Sequence, residues 1–200
     1  MVYVPVHRIK PNYCPVNNAM KIREWILTTL VLAFMLSCKK NVSELPQASQ
    51  SGKNIFGCSI NGNLWVPAGF GVIPTASILE ARFGGNNTIF INARDFSSYP
   101  IEKEFEIYLQ DFSGNGTYLL NQSTIKYPSQ TASYAYYIRR KTTPENEWIT
   151  NTEYTGVVNV TAYDSLNKFI SGNFEFYAIN LYNEPQPIHV TEGRFDVKLQ

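Results

Sequence analysis

The chain has 200 residues with 17 basic and 16 acidic side chains, a formal net charge of +1 and 44% hydrophobic residues. That balance leaves no basic footprint for a nucleic acid, and two histidines are too few for a histidine-rich metal site. The length fits one domain with a single core behind a processed leader.

Residues 1–19, MVYVPVHRIKPNYCPVNNA, have mixed polarity, three prolines and no period. They read as an upstream extension, with Met20 as the real start, because a secretory basic region is only a few residues long. From Met20 the chain carries Lys21 and Arg23, then an apolar run from Trp25 to Leu36, then Ser37 and Cys38. This is the outline of a signal peptide over residues 20–37, and the run is short of the roughly 20 apolar residues that span a bilayer. Its end, Met-Leu-Ser-Cys, resembles the lipobox of bacterial lipoproteins. The resemblance implies that Cys38 is acylated and becomes the new N-terminus; several acyl chains hold a soluble domain firmly to a membrane where one does not. Without the leader, 13 basic and 15 acidic residues remain, a net charge of −2.

Residues 38–53 are polar, with Pro, Ser and Gln and no apolar period, and read as a flexible tether. Folding is expected from Asn54 to Gln200 as a single β domain. In NIFGCSINGNLWVP two short apolar runs flank Asn61-Gly62, the dipeptide best suited to the positive φ angles of a tight hairpin. Cys14 falls in the extension and Cys38 takes lipid, so Cys58 is alone in the body and reads as a small buried hydrophobe.

Beyond it the apolar period is two. Ile89, Ile91 and Ala93 alternate with polar or opposite-facing neighbours, as do Phe105, Ile107 and Leu109. Tyr134, Tyr136 and Ile138 follow, then Val158, Val160 and Ala162, then Phe174, Phe176 and Ala178, and finally Phe195, Val197 and Leu199. Turn-forming clusters separate them at 84–87, 113–116, 164–167 and 183–187. No window after the leader carries a helical stripe. The fold expected is all-β, an antiparallel β-sandwich of about eight to ten strands, with a closed or partly closed β-barrel as the alternative.

The stretches FGCSINGNLWVP, GNGTYLL, ISGNFEFYAIN and VTEGRFDVKL are similar to those of uncharacterised small lipoproteins of Bacteroidota envelopes. That resemblance implies a compact β domain at an envelope address and supplies no activity.

Candidate chemistry is sparse. His189 is the one histidine after the leader and reads as a strand residue rather than a base. Asp111, Ser113 and Asn115 in DFSGNG space oxygen ligands like the start of a calcium loop, but Gln122 stands where a bidentate Glu would close it. A glycine-rich hairpin turn explains the same residues. Glu102, Glu104 and Glu106 alternate and so share one strand face, expected to be wet because like charges repel. The aromatic residues Trp148, Tyr134, Tyr136 and Tyr137 are the candidate ligand-binding set, Trp148 standing in a polar stretch that reads as a loop or hairpin end. Ser165 in Asp164-Ser165-Leu166 resembles a Bacteroidota O-glycosylation acceptor, though an Asp-Ser turn also accounts for it.

The function expected is a non-catalytic lipoprotein of the outer membrane, needing no cofactor, whose β domain binds a glycan, a peptide or another envelope protein. Lys39 and Lys40, with no acidic residue before Glu44, differ from the acidic clusters that resemble surface-export signals, which favours the periplasmic face. The alternatives are an envelope hydrolase using Glu102, Glu104 or Asp111 and a structural or assembly component.

Overall fold

A computed structural model describes residues 43–70, 77–141, 143–182 and 186–200. The leader, Cys38, both lysines after it and part of the 183–187 cluster lie outside the described residues. Among the described residues eleven strands run in chain order: β1 (Ile55–Ile60), β2 (Asn63–Trp65), β3 (Leu79–Gly84), β4 (Thr88–Ser98), β5 (Ile101–Leu109), β6 (Gly116–Leu120), β7 (Tyr134–Arg140), β8 (Pro144–Ile149), β9 (Gly156–Asp164), β10 (Phe169–Asn180) and β11 (Ile188–Lys198). Among the described residues there is no helix, and every strand pair is antiparallel.

The expected all-β class is what the chain adopts. One layer is ordered β2-β1-β11-β10-β9-β6, the other β3-β4-β5-β7-β8. They are continuous through β10, whose last residues Ile179 and Asn180 leave its first partners and pair with Ile149 and Trp148 of β8. Elsewhere isolated parallel bridges, Ala81 with Leu199 and Ala68 with Asp95, link the segment after β11 to β3 and the segment after β2 to β4. Isolated bridges are not a ladder, so the sheet is folded over as a sandwich and not closed into a barrel.

Local sequence sets the turns. Asn61 and Gly62 take φ of 48° and 81° between β1 and β2, the positive pair that such a hairpin requires. Asn86 and Asn87 do the same between β3 and β4, with φ of 58° and 51°. Glu192, at φ 54°, is an extra residue in β11 that breaks register with both β1 and β10. Such bulges raise local twist and let a long sheet fold back on itself.

The main core lies between the layers and is dominated by aromatic rings. Phe105 sits at its centre, with ring centroids 4.7 Å from Trp65, 4.6 Å from Tyr137, 5.7 Å from Phe56 and 6.2 Å from Phe176. Cys58 is fully buried and unpaired, and burial in apolar surroundings pushes its thiol pKa far up, as a packing residue should show. Two facing positions of β10 and β11 are glycine opposite phenylalanine: Gly172 opposite Phe195, and Phe174 opposite Gly193. Each ring occupies the space that a second side chain would need. A Cβ on Gly172 would lie 2.7 Å from Phe195 and 2.3 Å from the Asn159 carbonyl oxygen, which cannot swing away as a side chain can. Gly172→Ala is therefore expected to lose about 1–3 kcal/mol in urea denaturation, while Gly85→Ala, with nothing within 4 Å, stays near wild type.

Three expectations need correction. The folded chain begins before Asn54: Ser49 to Lys53, assigned to the tether, wrap the Asp196 carboxylate on the outer face of β11. Trp148 lies in a strand, β8, and not in a loop. The stretch 110–115 is no hairpin turn, since β5 pairs with β4 and β7 while β6 pairs with β9, so it carries the chain from one layer to the other.

The strand β7 also reverses the phase expected of it. Ala135 and Tyr137 face the main core, whereas Tyr134, Tyr136 and Ile138 join Phe90, Tyr108 and Ile149 in a second cluster on the outer face of the β3–β8 layer. That face is dry because residues of the 121–133 connection lie on it. The Tyr127 backbone N–H donates to the Tyr134 hydroxyl at 2.9 Å, and Lys126 Nζ donates to the Tyr136 hydroxyl at 2.8 Å. Covering both faces of β7 lets an alternating strand bury every residue from Tyr134 to Ile138.

Candidate ligand-binding cleft

The covered outer face holds a polar network around its aromatic cluster. Arg94 on β4 donates to Glu80 and to Glu104, each at 2.9 Å, and to the Ser77 carbonyl at 2.8 Å. Arg140 on β7 reaches Glu102 at 3.1 Å and Glu104 at 3.2 Å. Burial works against the Arg94 charge, but the carboxylates of Glu104 and Glu80 outweigh it and raise its pKa. Glu106 accepts from Asn92 Nδ2 at 3.0 Å and from the Tyr134 hydroxyl. The three alternating glutamates thus share a face as expected, but the face is not wet. Cross-strand arginines neutralise Glu102 and Glu104, Glu106 is held by Asn92 and Tyr134, and the Glu104 side chain is only 16% exposed.

Glu147 on β8 is the deepest carboxylate of this face. It accepts from the Tyr136 hydroxyl at 2.6 Å, Lys126 at 2.9 Å and the Tyr182 hydroxyl at 3.0 Å. Burial penalises its charge, and these hydrogen bonds outweigh the penalty and hold its pKa below the usual carboxylate range. Burial, and then the bond to Glu147, push the Tyr136 hydroxyl pKa well up. The network pins the 121–133 connection to β7 and β8.

Where that connection meets the β3–β4 hairpin, a cleft of about 560 Å³ opens, lined among others by Arg82, Phe90, Tyr108, Asp111, Tyr127 and Gln130. Arg82 of β3 faces Phe90 of β4 in register. Directly opposed side chains on one sheet face are about 5 Å apart, so the guanidinium carbon lies 4.1 Å from the Phe90 ring centroid and 5.8 Å from that of Tyr127. The Tyr127 ring meets Phe90 edge-on, 5.5 Å between centroids, and the residue is 53% exposed.

The residues singled out from the sequence lie elsewhere, apart from Asp111. Tyr134, Tyr136 and Tyr137 are buried, so they offer no ring to a ligand. Trp148 is half-buried against Tyr137, and its indole N–H donates to the Gln186 carbonyl at 3.0 Å. His189 stacks on Tyr177 with centroids 3.9 Å apart and lies 3.2 Å from Glu175, on the outer face of the other layer. Ser113 and Asn115 stay in the crossing loop, where the Ser113 N–H donates to the Tyr118 hydroxyl at 3.0 Å. Among the described residues, no group of three His, Cys, Asp or Glu side chains could hold a metal ion. Ser165 is exposed in a turn whose Asp164 carboxylate accepts the Leu166 and Asn167 N–H groups, both at 2.8 Å.

Reasoning from the sequence missed Arg82, Tyr127 and Gln130. Arg82 stands two residues after Glu80 in LEARFG, an alternation that could have marked β3; nothing local marks the other two. No protein-family model, curated protein or solved structure matches this chain.

Proposed function

We propose that the chain is an envelope lipoprotein, similar to the small lipoproteins of Bacteroidota, acylated at Cys38, held on the periplasmic face of the outer membrane, with a non-catalytic β domain that binds a glycan in the cleft. The observation that carries this reading is a cleft on a rigid strand layer, walled by aromatic rings, whose Arg82 guanidinium has no ion pair or hydrogen bond among the described residues. Polar fork-shaped side chains beside an open ring suit sugars, which present hydroxyls at the edge and C–H groups on the face. Binding is favoured over hydrolysis because Glu102 and Glu104, two carboxylates of the alternative, are committed to Arg94 and Arg140. With the chain pinned from Ser49 onward, residues 38–48 could reach at most roughly 40 Å, at about 3.6 Å per residue, which keeps the domain close to the bilayer.

Two measurements test the reading. Cys38→Ala is expected to move the protein from the membrane fraction to the soluble fraction. Titration of the purified full-length protein with a panel of oligosaccharides is expected to give saturable binding without cleavage products. Absence of saturable binding to any sugar rejects the glycan, and products of defined length on chromatography revive the hydrolase.

A further inference from the structure

Resting on that reading, we propose that the glycan is acidic, a uronic acid residue whose carboxylate sits on Arg82 while its ring lies against Tyr127. The covered face carries three arginines with contrasting fates. Arg94 and Arg140 are each held by two carboxylates. Arg82, two residues from Glu80 on the same strand, has no carboxylate or hydrogen-bond partner among the described residues, and it is half-buried. Its contacts are with ring faces, Phe90 at 4.1 Å and Tyr127 at 5.8 Å. Contacts with rings use none of its N–H donors, which can receive a carboxylate through two parallel hydrogen bonds.

One further group lining the cleft is unsatisfied. Gln130 Oε1 is buried and has no hydrogen-bond partner among the described residues, and buried polar atoms ordinarily find one. Tyr108 lines the cleft beside it. A phenolic donor and an amide acceptor beside an unpaired cation complement a group that carries both a carboxylate and hydroxyls.

The charge balance selects a monoanion, and a planar guanidinium matches a planar carboxylate. The cleft offers one cation, neutral amides and Asp111, which makes no ion pair with Arg82. A carboxylate is a monoanion that one arginine neutralises, whereas a phosphate dianion would bring a second charge facing Asp111 uncompensated. Asp111 then accepts a sugar hydroxyl. The volume of about 560 Å³ falls within the range of small-ligand pockets, roughly 300–1,000 Å³.

The test is calorimetric titration of the full-length protein with short oligomers of galacturonate, glucuronate and mannuronate, their methyl esters, and neutral oligosaccharides. At least one acid is expected to bind about 10- to 100-fold tighter than its ester, the worth of a hydrogen-bonded charge. Arg82→Gln should bring the acid down to the affinity of the ester, with the thermal melt unchanged. Tyr127→Ala should weaken acid and ester alike. Equal binding of acid and ester, or a full acid preference in Arg82→Gln, overturns the acidic assignment and leaves the glycan reading standing. Binding of neutral sugars alone does the same, whereas no binding of any sugar removes both.

Discussion

Replacing Asp196 by alanine is expected to lower stability by about 2–4 kcal/mol, among the largest losses available from a single polar side chain in this domain. The residue is fully buried on the outer face of β11. Its carboxylate accepts the backbone N–H of Ser51 at 3.1 Å, of Gly52 at 2.7 Å and of Lys53 at 3.0 Å, and the hydroxyls of Ser171 at 2.6 Å and of Ser49. Alanine leaves all of these donors without an acceptor. The segment before β1 can then peel away and return them to water, so the loss is capped at the free energy with which that segment docks. Urea denaturation of the two proteins at pH 7 measures it; a difference below about 0.5 kcal/mol, the scale of an ordinary surface change, would mean that the segment contributes nothing to the fold.

The same carboxylate sets an acid dependence. Burial drives its pKa up, but the Lys53 N–H, the Ser171 and Ser49 hydroxyls and the Ser51 N–H more than offset this and bring it from 3.8 down to about 2. A folded-state pKa below the unfolded one means stability that is complete above the unfolded value and lost as pH falls through the folded one. The window is therefore from about pH 4 down to about pH 2, and the amount is about 2 kcal/mol at 1.36 kcal/mol per unit. Across that window the wild type should lose its advantage over Asp196→Ala by this amount. A gap that stays constant from pH 5 to pH 2 would contradict the assignment.

Phe105→Ala should be the most damaging change in the main core, at about 3–5 kcal/mol. The ring is fully buried and touches rings from β1, β2, β7 and β10, so it joins residues of both layers. Those neighbours belong to hydrogen-bonded strands and cannot close in on the void, which is why the cavity cost adds to the lost transfer energy. For a domain of this size the melting temperature should fall by on the order of 10 °C. Phe105→Leu, which fills much of the space, should recover over half of the loss. A fall of only one or two degrees for alanine would show that the layers can collapse onto the gap.

The cleft shows where a sequence stops being readable. Asp111 came from a spacing resembling a calcium loop, and the structure gives it a different setting, on the wall of the cleft. Arg82 and Tyr127 are 45 positions apart in the sequence, and what joins them is Phe90, which contacts both. The carboxylates were misjudged for a related reason. Alternation correctly placed Glu102, Glu104 and Glu106 on one face, but the state of the first two depends on Arg94 and Arg140 and that of Glu106 on Asn92 and Tyr134, all brought alongside by the β4–β5 and β5–β7 ladders.

By itself, the sequence determined what short-range physics controls. The all-β class follows from a period of two, the hairpin at Asn61-Gly62 from the rarity of positive φ, and the burial of Cys58 from its place among apolar residues. Tertiary structure decided whatever depends on which segment covers which face. It turned Tyr134 and Tyr136 away from the main core, because the connection after β6 gives them a second one. It made Ser49 to Lys53 part of the domain through a carboxylate 143 residues beyond Lys53. It also left Arg82 beside two rings and without a carboxylate partner among the described residues. A strand's alternation says that it has two faces, and only the pairing of distant segments decides whether the second face meets water, a covering loop or a ligand.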